Sequence, residues 1–368
     1  MDLFAGIGGF HYGIAAAAKD LGLDVETLLV SELDEDCRLT YATNHEVDPR
    51  RIVGDVMKID TSTKLPPRAD VVTAGFPCQP FSNSGTKRGL KDPRGRFLEK
   101  IIDVIIHYRA RSFVLENVPG ILTNGGGRFE SRLVEGRQVG RSMHRIEGLL
   151  ERLDEYEITW FELDSSDVGS PQVRRRVFIV GTRKRRAPKF DPTRIRTKRP
   201  RPFISVMDRS LNDEPGELLL TKSQEVNVRK TMRKPPVVRG GLVRVGSAYL
   251  CKGGNVGQAY HAHGLVPTLT KVWARFLPIY FPSEAEKNNK RVPRIGSDDF
   301  KPDRRSYGRG GTIRRASIRE VMALQGFPDD FEPHPIPSVA YAQAGNAVHA
   351  EVVARIAEVL LDDLGFSR

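Results

Sequence analysis

The sequence predicts an α/β protein with a mainly parallel β-sheet covered by helices. Up to about residue 185, short runs of apolar and β-branched residues alternate with stretches of helical periodicity, which is typical of βαβ units. A glycine-rich turn, Gly6–Gly9, leads into an alanine-rich stretch from Ile14 to Leu21. Reactive or charged residues follow two of the apolar runs directly. We therefore expect a binding crevice at the carboxyl ends of the strands.

Six short runs are predicted as strands. They are Thr27–Ser31, Arg51–Val53, Val71–Ala74, Ser112–Leu115, Ile158–Leu163 and Val177–Val180. Apolar residues recur at helical spacing over Phe97–Tyr108, which predicts a helix that packs on the core. Periodicity fades after Gly181, where proline and basic residues dominate, and helical patterns return over Ser317–Leu324 and Val348–Leu361. This change of composition indicates a second domain in the middle of the chain.

Length and composition exclude several classes of protein. With 368 residues, 39% of them hydrophobic, the chain is long enough for two domains and a large core. No apolar run approaches the roughly 20 residues that span a bilayer, and no signal-peptide pattern is present. We therefore expect a cytoplasmic protein that does not contact a membrane. The three cysteines, Cys37, Cys78 and Cys251, have unrelated spacings that predict neither disulfides nor a metal site.

The formal net charge of +12 indicates a polyanionic partner. Lysines and arginines that neutralise phosphates release condensed counterions, and this release favours binding to nucleic acid. Ten of these residues fall between 182 and 201, against the single acidic residue Asp191. A solvated linker could have the same composition. The clustering favours nucleic acid.

Cys78 stands in the segment Gly75–Ser82, directly after the apolar run Val71–Ala74. A residue just past a strand is held rigidly while its side chain faces the crevice, which is the placement that a nucleophile needs. The alternative is a small buried hydrophobe, the usual state of a lone intracellular cysteine. Glu116 follows the apolar run Ser112–Leu115 in the same way. We expect the thiol and this carboxylate to lie at one edge of the sheet.

Together these segments resemble the DNA (cytosine-5)-methyltransferase family. The matching motifs follow one another in the family's order: Asp2–Phe10, Glu32, Gly54-Asp55, Gly75–Ser82, Glu116–Val118, Gln172–Arg176, Arg319-Glu320 with Leu324–Phe327, and Gly345-Asn346. The resemblance implies a doubly wound, Rossmann-like, S-adenosylmethionine-dependent methyltransferase domain over residues 1–185 and 312–368. It also implies a smaller, irregular target-recognition domain over residues 186–311.

The resemblance assigns the catalytic roles to four residues. Cys78 is the nucleophile that adds to carbon 6 of cytosine, which makes carbon 5 reactive enough to take a methyl group. Glu116 acts at ring nitrogen 3, where negative charge develops. Arg174 contacts the base oxygen and Arg176 supports the site. The two arginines alternate and so point the same way if the segment is a strand; an exposed basic strand would have the same pattern.

A second set of residues is implied for the cofactor, S-adenosyl-L-methionine. A tight glycine turn lets the backbone approach a ligand, and an acidic residue after the next strand binds ribose hydroxyls. The glycine spacing departs from G-x-G-x-x-G, which argues against NAD. The implied cofactor residues are Phe4, Gly6, Ile7, Gly8, Glu32, Asp55, Pro77, Phe97 and Asn346. Phe4 and Phe97 would also suit simple packing in the core.

The resemblance also implies contacts with double-stranded DNA, from which the target cytosine must be flipped. Residues 83–96 match the family's mobile catalytic loop. The implied DNA contacts are Ser82, Ser84, Gln172, Asn255 and Thr268. Asn255 would enter the vacated stack, although its Gly-Gly neighbours are equally typical of a simple turn. The residues that read bases in the major groove are left open among those from 190 to 275.

The predicted function is site-specific methylation of cytosine in DNA by a monomer, with or without a separately encoded restriction endonuclease. A tRNA-methylating enzyme of the same fold is an alternative, but that branch carries a Cys-Phe-Thr motif that this chain lacks. A DNA-binding protein with a decayed site and a nicotinamide oxidoreductase are further alternatives. Family members have a strand before the Asp-Leu-Phe motif, which here directly follows Met1, so we expect a weakened sheet beside the cofactor.

Overall fold

The computed structural model describes residues 1–62, 66–77, 96–124, 132–134, 137–208, 211, 218–232, 237–239, 241–248, 257–271, 274–283 and 310–366. The chain divides into two compact units. Unit 1 comprises Met1–Leu163, Arg175–Arg196 and Val352–Arg368, and unit 2 comprises Asp164–Arg174 and Thr197–Glu351. Residues 312–351 therefore group with unit 2, whereas the sequence assigns them to the catalytic domain. The functional division of the chain stays a prediction.

Unit 1 holds most of the regular structure predicted for the first half of the chain. Its strands are β1 (Asp2–Leu3), β2 (Val30–Ser31), β3 (Ile52–Val53), β4 (Val71–Gly75), β5 (Ser112–Asn117), β6 (Arg132–Val134), β7 (Arg137–Val139), β8 (Tyr156–Asp164, whose last residue belongs to unit 2) and β10 (Arg175–Arg183). Its helices are α1 (Gly9–Asp20), α2 (Glu35–Asn44), α3 (Arg96–His107), α4 (Gly120–Thr123), α5 (Arg141–Leu150) and α9 (Ala350–Asp363, which enters unit 1 at Val352).

A seven-stranded sheet with the order β3-β2-β1-β4-β5-β10-β8 forms the centre of unit 1. Strands β3, β2, β1, β4 and β5 run parallel to one another, and β10 is antiparallel to β5. The order reverses between β1 and β4, since β2 and β3 lie on one side of β1 and the later strands on the other. In doubly wound sheets a ligand binds beyond the carboxyl ends of the strands at such a reversal. The predicted fold class is confirmed.

The core of unit 1 explains why the predicted helix α3 forms. Leu98, Ile101, Ile102 and Ile105 are buried against sheet residues that include Phe113 and α5 residues that include Ile146. Leu98, Ile101, Ile102 and Ile105 recur at three- and four-residue spacing, so they share one face of the helix. Helices α1 and α9 pack against each other in a second apolar cluster, where Ala17 and Ala18 contact Ala357 and Leu361.

Strand β1 is only two residues long, yet both of its residues are buried and it pairs with neighbours on each side. The amino group of Met1 donates a hydrogen bond to the carbonyl oxygen of Val71, at 2.9 Å. The side chain of Asp2 accepts one from the Thr73 hydroxyl, at 2.8 Å. Burial raises the pKa of the Asp2 carboxyl to about 7, in spite of the Thr73 hydrogen bond that lowers it.

Unit 2 contains short strands and three helices among its described residues. The strands are β9 (Gln172–Val173), β11 (Val237–Arg239), β12 (Leu242–Ser247), β13 (Gln258–His261), β14 (Val266–Pro267), β15 (Pro278–Phe281) and β16 (Thr312–Arg315). The helices are α6 (Lys222–Thr231), α7 (Ile318–Leu324) and α8 (Pro337–Asn346). Strands β11-β12-β13-β15-β16 form one sheet, and β14 pairs with β9.

A buried ion pair links β16 to α7 within unit 2. The two guanidinium nitrogens of Arg314 donate to the carboxylate of Glu320 at 2.6 and 2.8 Å, and both side chains are almost fully buried. Ser317 caps α7 reciprocally with Glu320. The helix predicted over Ser317–Leu324 therefore begins where its capping residues stand.

Candidate active site

The ends of β4 and β5 are fastened to each other at the sheet edge where the sequence predicts the reactive residues. Gly75 pairs with Glu116 in the parallel ladder. The Asn117 side-chain amide donates to the carbonyl oxygen of Phe76 at 3.0 Å, and its oxygen accepts from the amide of Val118. These two hydrogen bonds of the buried Asn117 side chain hold the backbone at Phe76, two residues before Cys78 in the sequence. Cys78 itself lies outside the described residues.

Glu116 forms an ion pair with Arg176. The Arg176 Nε atom lies 2.8 Å from Glu116 Oε1, and each side chain is only 13% exposed. Phe178 of β10 is the register partner of Glu116. Arg176 stands two residues before Phe178 on the same strand, so it lies on the same face of the sheet as Glu116. The structure therefore places a cation beside the predicted catalytic carboxylate.

Arg174 has different surroundings. It lies between β9 and β10 rather than on a strand, so the predicted alternation with Arg176 on one strand is not observed. Its buried guanidinium donates to the carbonyl oxygens of Leu269 at 2.7 Å and Ala347 at 2.8 Å. These contacts all lie within unit 2. Arg174 thus holds backbone segments together, which does not suit the base contact that the resemblance assigns to it.

Gln172 also differs from its prediction as a DNA contact. The side chain is fully buried; its amide nitrogen donates to the carbonyl of Leu324 at 2.9 Å, and its oxygen accepts from the amide of Leu269 at 3.1 Å. A buried amide that bonds two backbone segments in this way braces unit 2. The half-buried Thr268 donates its hydroxyl to the carbonyl of Val173 at 2.7 Å. Ser82, Ser84 and Asn255 lie outside the described residues.

The glycine turn after β1 has left-handed backbone at Gly6 and Gly8, with φ of 54° and 87°. A Cβ atom at Gly8 would lie 2.1 Å from the His45 ring, whereas one at Gly6 would meet no atom within 4 Å. The turn is therefore packed on one side and open on the other. Ile7 is buried beneath it. Sequence reasoning overlooked His45, which has no motif; its burial is a tertiary feature that lowers its pKa to about 4.

Glu32 anchors the turn from the neighbouring strand. One carboxylate oxygen accepts from the amide of Gly6 at 2.7 Å and the other from the amide of Asp34 at 2.9 Å. Each oxygen keeps a further lone pair for a hydroxyl donor. Asp55 uses one oxygen to cap a short 3₁₀ helix through the amide of Met57, at 2.9 Å.

Two aromatic side chains of unit 1 contact each other just before the glycine turn. Phe4, with φ of 54°, meets Phe97 edge to face with ring centroids 5.3 Å apart. Both rings are half-buried, as is Pro77. A nucleoside cofactor would find suitable partners here. The carboxylates can accept from its hydroxyl and amino groups, and the open glycine turn and the partly exposed rings suit its ribose and adenine. Asn346, at the end of α8, is exposed in unit 2.

Fold and site together define a nucleoside-binding α/β enzyme with a carboxylate at the carboxyl edge of its sheet. The family profile "C-5 cytosine-specific DNA methylase" matches residues 1–362. Type II methyltransferase M.BanI of Aneurinibacillus aneurinilyticus is 28% identical over 99% of this chain and 95% of its own length. Type II methyltransferase M.HgiCI of Herpetosiphon aurantiacus is 26% identical over 96% of this chain and 95% of its own.

Among solved structures, the Entamoeba histolytica methyltransferase EhMeth superposes with a TM-score of 0.64 at 16% identity, over 99% of this chain and 97% of that one. The chain belongs to the C-5 cytosine-specific DNA methylase family. It is a DNA (cytosine-5) methyltransferase, its substrate is DNA, and its cofactor is S-adenosyl-L-methionine. None of the helices in the described residues is long and apolar enough to cross a membrane.

Proposed function

We propose that the chain methylates cytosine at a specific short DNA sequence, with Cys78 as nucleophile and with Glu116 and Arg176 holding the base. The observation that carries the proposal is the Glu116–Arg176 ion pair at the end of β5. This pair lies beside the end of β4, and the chain reaches Cys78 three residues after Gly75. A charged pair with little exposure at a ligand-binding sheet edge is typical of a functional site.

Cys78 acts by forming a bond from its sulfur to carbon 6 of the flipped cytosine. The electron pair of the 5,6 double bond then moves into the ring, and carbon 5 becomes nucleophilic like an enamine. Once carbon 5 has formed its bond to the methyl group that the cofactor would supply, its proton passes to water and the carbon 6–sulfur bond breaks. The departing thiolate thereby leaves a restored 5,6 double bond. A cysteine suits both steps because it is a strong nucleophile at neutral pH and a good leaving group.

The carboxyl group of Glu116 acts at ring nitrogen 3, where it donates a proton or a hydrogen bond as negative charge develops. Arg176 is the better candidate for the base oxygen, because it lies at the same carboxylate while Arg174 is occupied by backbone carbonyls. The roles that the resemblance assigns to the two arginines are thus exchanged in our proposal. Arg174 supports unit 2.

For the cofactor, we propose that Glu32 binds the ribose hydroxyls and that Asp55 accepts from the adenine amino group. Phe4 and Phe97 contact the adenine, Pro77 lines the pocket, and Asn346 is kept as a cofactor residue on the resemblance alone. The open face of the turn at Gly6 supports this arrangement, with Ile7 and Gly8 holding its shape. When bound, S-adenosyl-L-methionine supplies an electrophilic methyl group on a sulfonium.

On the DNA side, we propose that residues 186–311 recognise the target and that Ser82, Ser84, Asn255 and Thr268 contact the strand around the flipped base. The two relatives are named type II methyltransferases, and this supports a restriction-modification role with a separately encoded endonuclease. We also infer action as a monomer in the cytoplasm.

The test is expression of the chain and of its Cys78→Ser variant in a host without cytosine methylation, followed by bisulfite sequencing of the plasmid. We expect 5-methylcytosine at one recurring motif with the wild type and none with the variant. Equal methylation by both proteins would exclude Cys78 as the nucleophile. If neither methylates DNA while the wild type still binds S-adenosyl-L-methionine, an RNA substrate becomes the better hypothesis.

A further inference from the structure

A cluster of cations lies at the edge of the unit 1 sheet opposite the site. We call it the basic edge; it consists of Arg68, Arg109, Arg111, Arg183, Lys184, Arg185 and Arg186. The residues of the basic edge flank the first residues of β4 and β5 and the last residues of β10. These strand ends are neighbours, because Val71 pairs with Ser112 and Ser112 pairs with Thr182. Arg111 directly precedes β5, and Glu116 on that strand is five residues later, a distance of about 16 Å at the usual rise of a strand.

The arginines of the basic edge lie close together. Arg68 and Arg183 both donate to the carbonyl oxygen of Arg109, at 3.3 and 3.5 Å. The pKa of Arg68 is lowered by partial burial and then by repulsion from Arg183, Arg186, Arg111 and Arg109. Like charges at this separation disfavour one another, so the cluster opposes folding unless anions approach it.

Nearby carboxylates neutralise only part of this charge. Arg111 pairs with Asp70 at 3.2 Å and Arg183 with Glu155 at 2.5 Å. Within the described residues, Arg68, Arg109, Arg185 and Arg186 are exposed and none of them lies in ion-pair distance of a carboxylate. The basic edge therefore keeps a net positive surface.

Backbone strain coincides with the same cluster. Among the described residues, only Phe4, Arg109 and Arg185 combine a side chain with left-handed backbone; φ is 44° at Arg109 and 61° at Arg185. Such conformations cost folding free energy in residues other than glycine, and they are retained more often at functional sites. Two strained arginines in one repulsive cluster are better explained by a ligand than by stability.

We propose that the basic edge binds the phosphodiester backbone of a second stretch of duplex DNA, away from the target cytosine. Six of its seven cations are arginines, whose planar guanidinium donates two parallel hydrogen bonds to a phosphate. This goes beyond the proposed function, because binding here is independent of sequence and of catalysis. Its role is to hold the enzyme on long DNA while the other edge acts on a target.

The test compares Arg68→Glu/Arg186→Glu with the control Lys19→Glu/Arg145→Glu, which makes the same charge change at exposed positions outside the basic edge. Both full-length variants are titrated with a duplex of about 300 bp over a range of salt. We expect the first variant to bind about tenfold more weakly, with a salt slope smaller by about 2, and the control to match wild type. Methylation of a duplex of about 15 bp carrying the mapped motif should stay unchanged in both.

Equal affinity and salt slope for the two variants would overturn the proposal. A fall in short-duplex methylation by the first variant alone would also overturn it, because the charges would then act at the target. Loss of binding to phosphatidylserine vesicles with unchanged DNA binding would identify a lipid surface instead. If the proposed methylation fails, long-duplex binding still tests the basic edge.

A second variant guards against misfolding. Arg185→Gly removes one charge and relieves the left-handed strain, so it should fold at least as stably as wild type. We expect it nonetheless to bind the long duplex more weakly, with a salt slope smaller by about 1. Unchanged DNA binding by a stably folded Arg185→Gly would count against the proposal.

Discussion

At the scale of single residues, our proposed chemistry depends on the ion pair between Glu116 and Arg176. Both side chains are nearly buried and lie 2.8 Å apart, so each determines the charge environment of the other. The guanidinium of Arg174, only two residues before Arg176, donates to carbonyl oxygens of unit 2, and on these contacts we propose a structural role for it. Sequence distance therefore says little about chemical role here.

We predict that Arg176→Ala lowers methyl transfer about 100-fold, because the developing charge on the base loses a donor. The carboxyl of Glu116 also loses the cation that holds it in place. Single-turnover methylation at one fixed pH measures the loss. The control is Arg175→Ala, an exposed neighbour. An equal loss with the control would contradict a specific role for Arg176.

We predict that Arg174→Ala acts on stability instead. It would leave the carbonyl oxygens of Leu269 and Ala347 without their buried donor, at a cost of about 2–4 kcal/mol. Urea unfolding measures the change in the free energy of unfolding. Arg176→Ala is the comparison and should lose much less stability. If Arg174→Ala folds as stably as wild type but cannot bind DNA, the original base-contact hypothesis is restored.

At the scale of elements, the glycine turn before α1 is shaped by two constraints at one residue. Gly8 has φ of 87° and also faces the His45 ring, so any side chain meets both strain and a clash. The imidazole approaches the carbonyl oxygen of Ile7, at 3.4 Å, and stacks on His11. His45, directly after α2, therefore supports the turn that we assign to the cofactor.

We predict that Gly8→Ala weakens binding of S-adenosyl-L-methionine at least tenfold, since the turn must move away from His45. Gly22→Ala is a matched control, because Gly22 also has positive φ, at 69°, but a Cβ there would meet nothing within 4 Å. Isothermal titration of both variants measures the affinity. The double variant Gly8→Ala/His45→Ala should regain part of the loss. Equal loss in both single variants would mean that strain alone matters.

At the scale of the whole molecule, buried histidines in both units should make stability depend on pH. Burial lowers the pKa to about 3 in His11, His261 and His349, and to about 4 in His45. A histidine held neutral in the fold is protonated in the unfolded chain below its ordinary pKa of 6.5, so stability is lost as pH falls from 6.5 towards 4. The raised pKa of Asp2 acts oppositely, because its contribution is lost as pH rises from 3.8 to about 7.

We predict that the histidines dominate, with the free energy of unfolding falling by about 1.4 kcal/mol per pH unit for each protonated histidine. Urea unfolding at several pH values between 4.5 and about 7.5 measures this. His349→Gln should reduce the slope by about 1.4 kcal/mol per pH unit, the contribution of one proton. A stability that is flat across this range would contradict the prediction.

The helices and strands could be predicted from the sequence, whereas several contacts between side chains could not. The runs around β4, β5 and α3 were predicted within two residues, because local periodicity reflects which face of each segment is buried. The positions of Glu116 and of the glycine turn at the carboxyl edge follow from those elements. The buried role of Gln172 and the strand break at Arg174 could not be predicted, since both depend on partners 95 to 173 residues away.

By itself, the sequence determined the fold class, the family and the residue types available for the chemistry, because motifs and periodicity depend only on residues that are near one another in the chain. Only the tertiary structure decided which arginine meets Glu116, how His45 supports the turn at Gly8, and that seven cations share the opposite edge of the sheet. These outcomes depend on strand order and register. The pairing of β5 with both β4 and β10 is what brings together charges that lie far apart in the sequence.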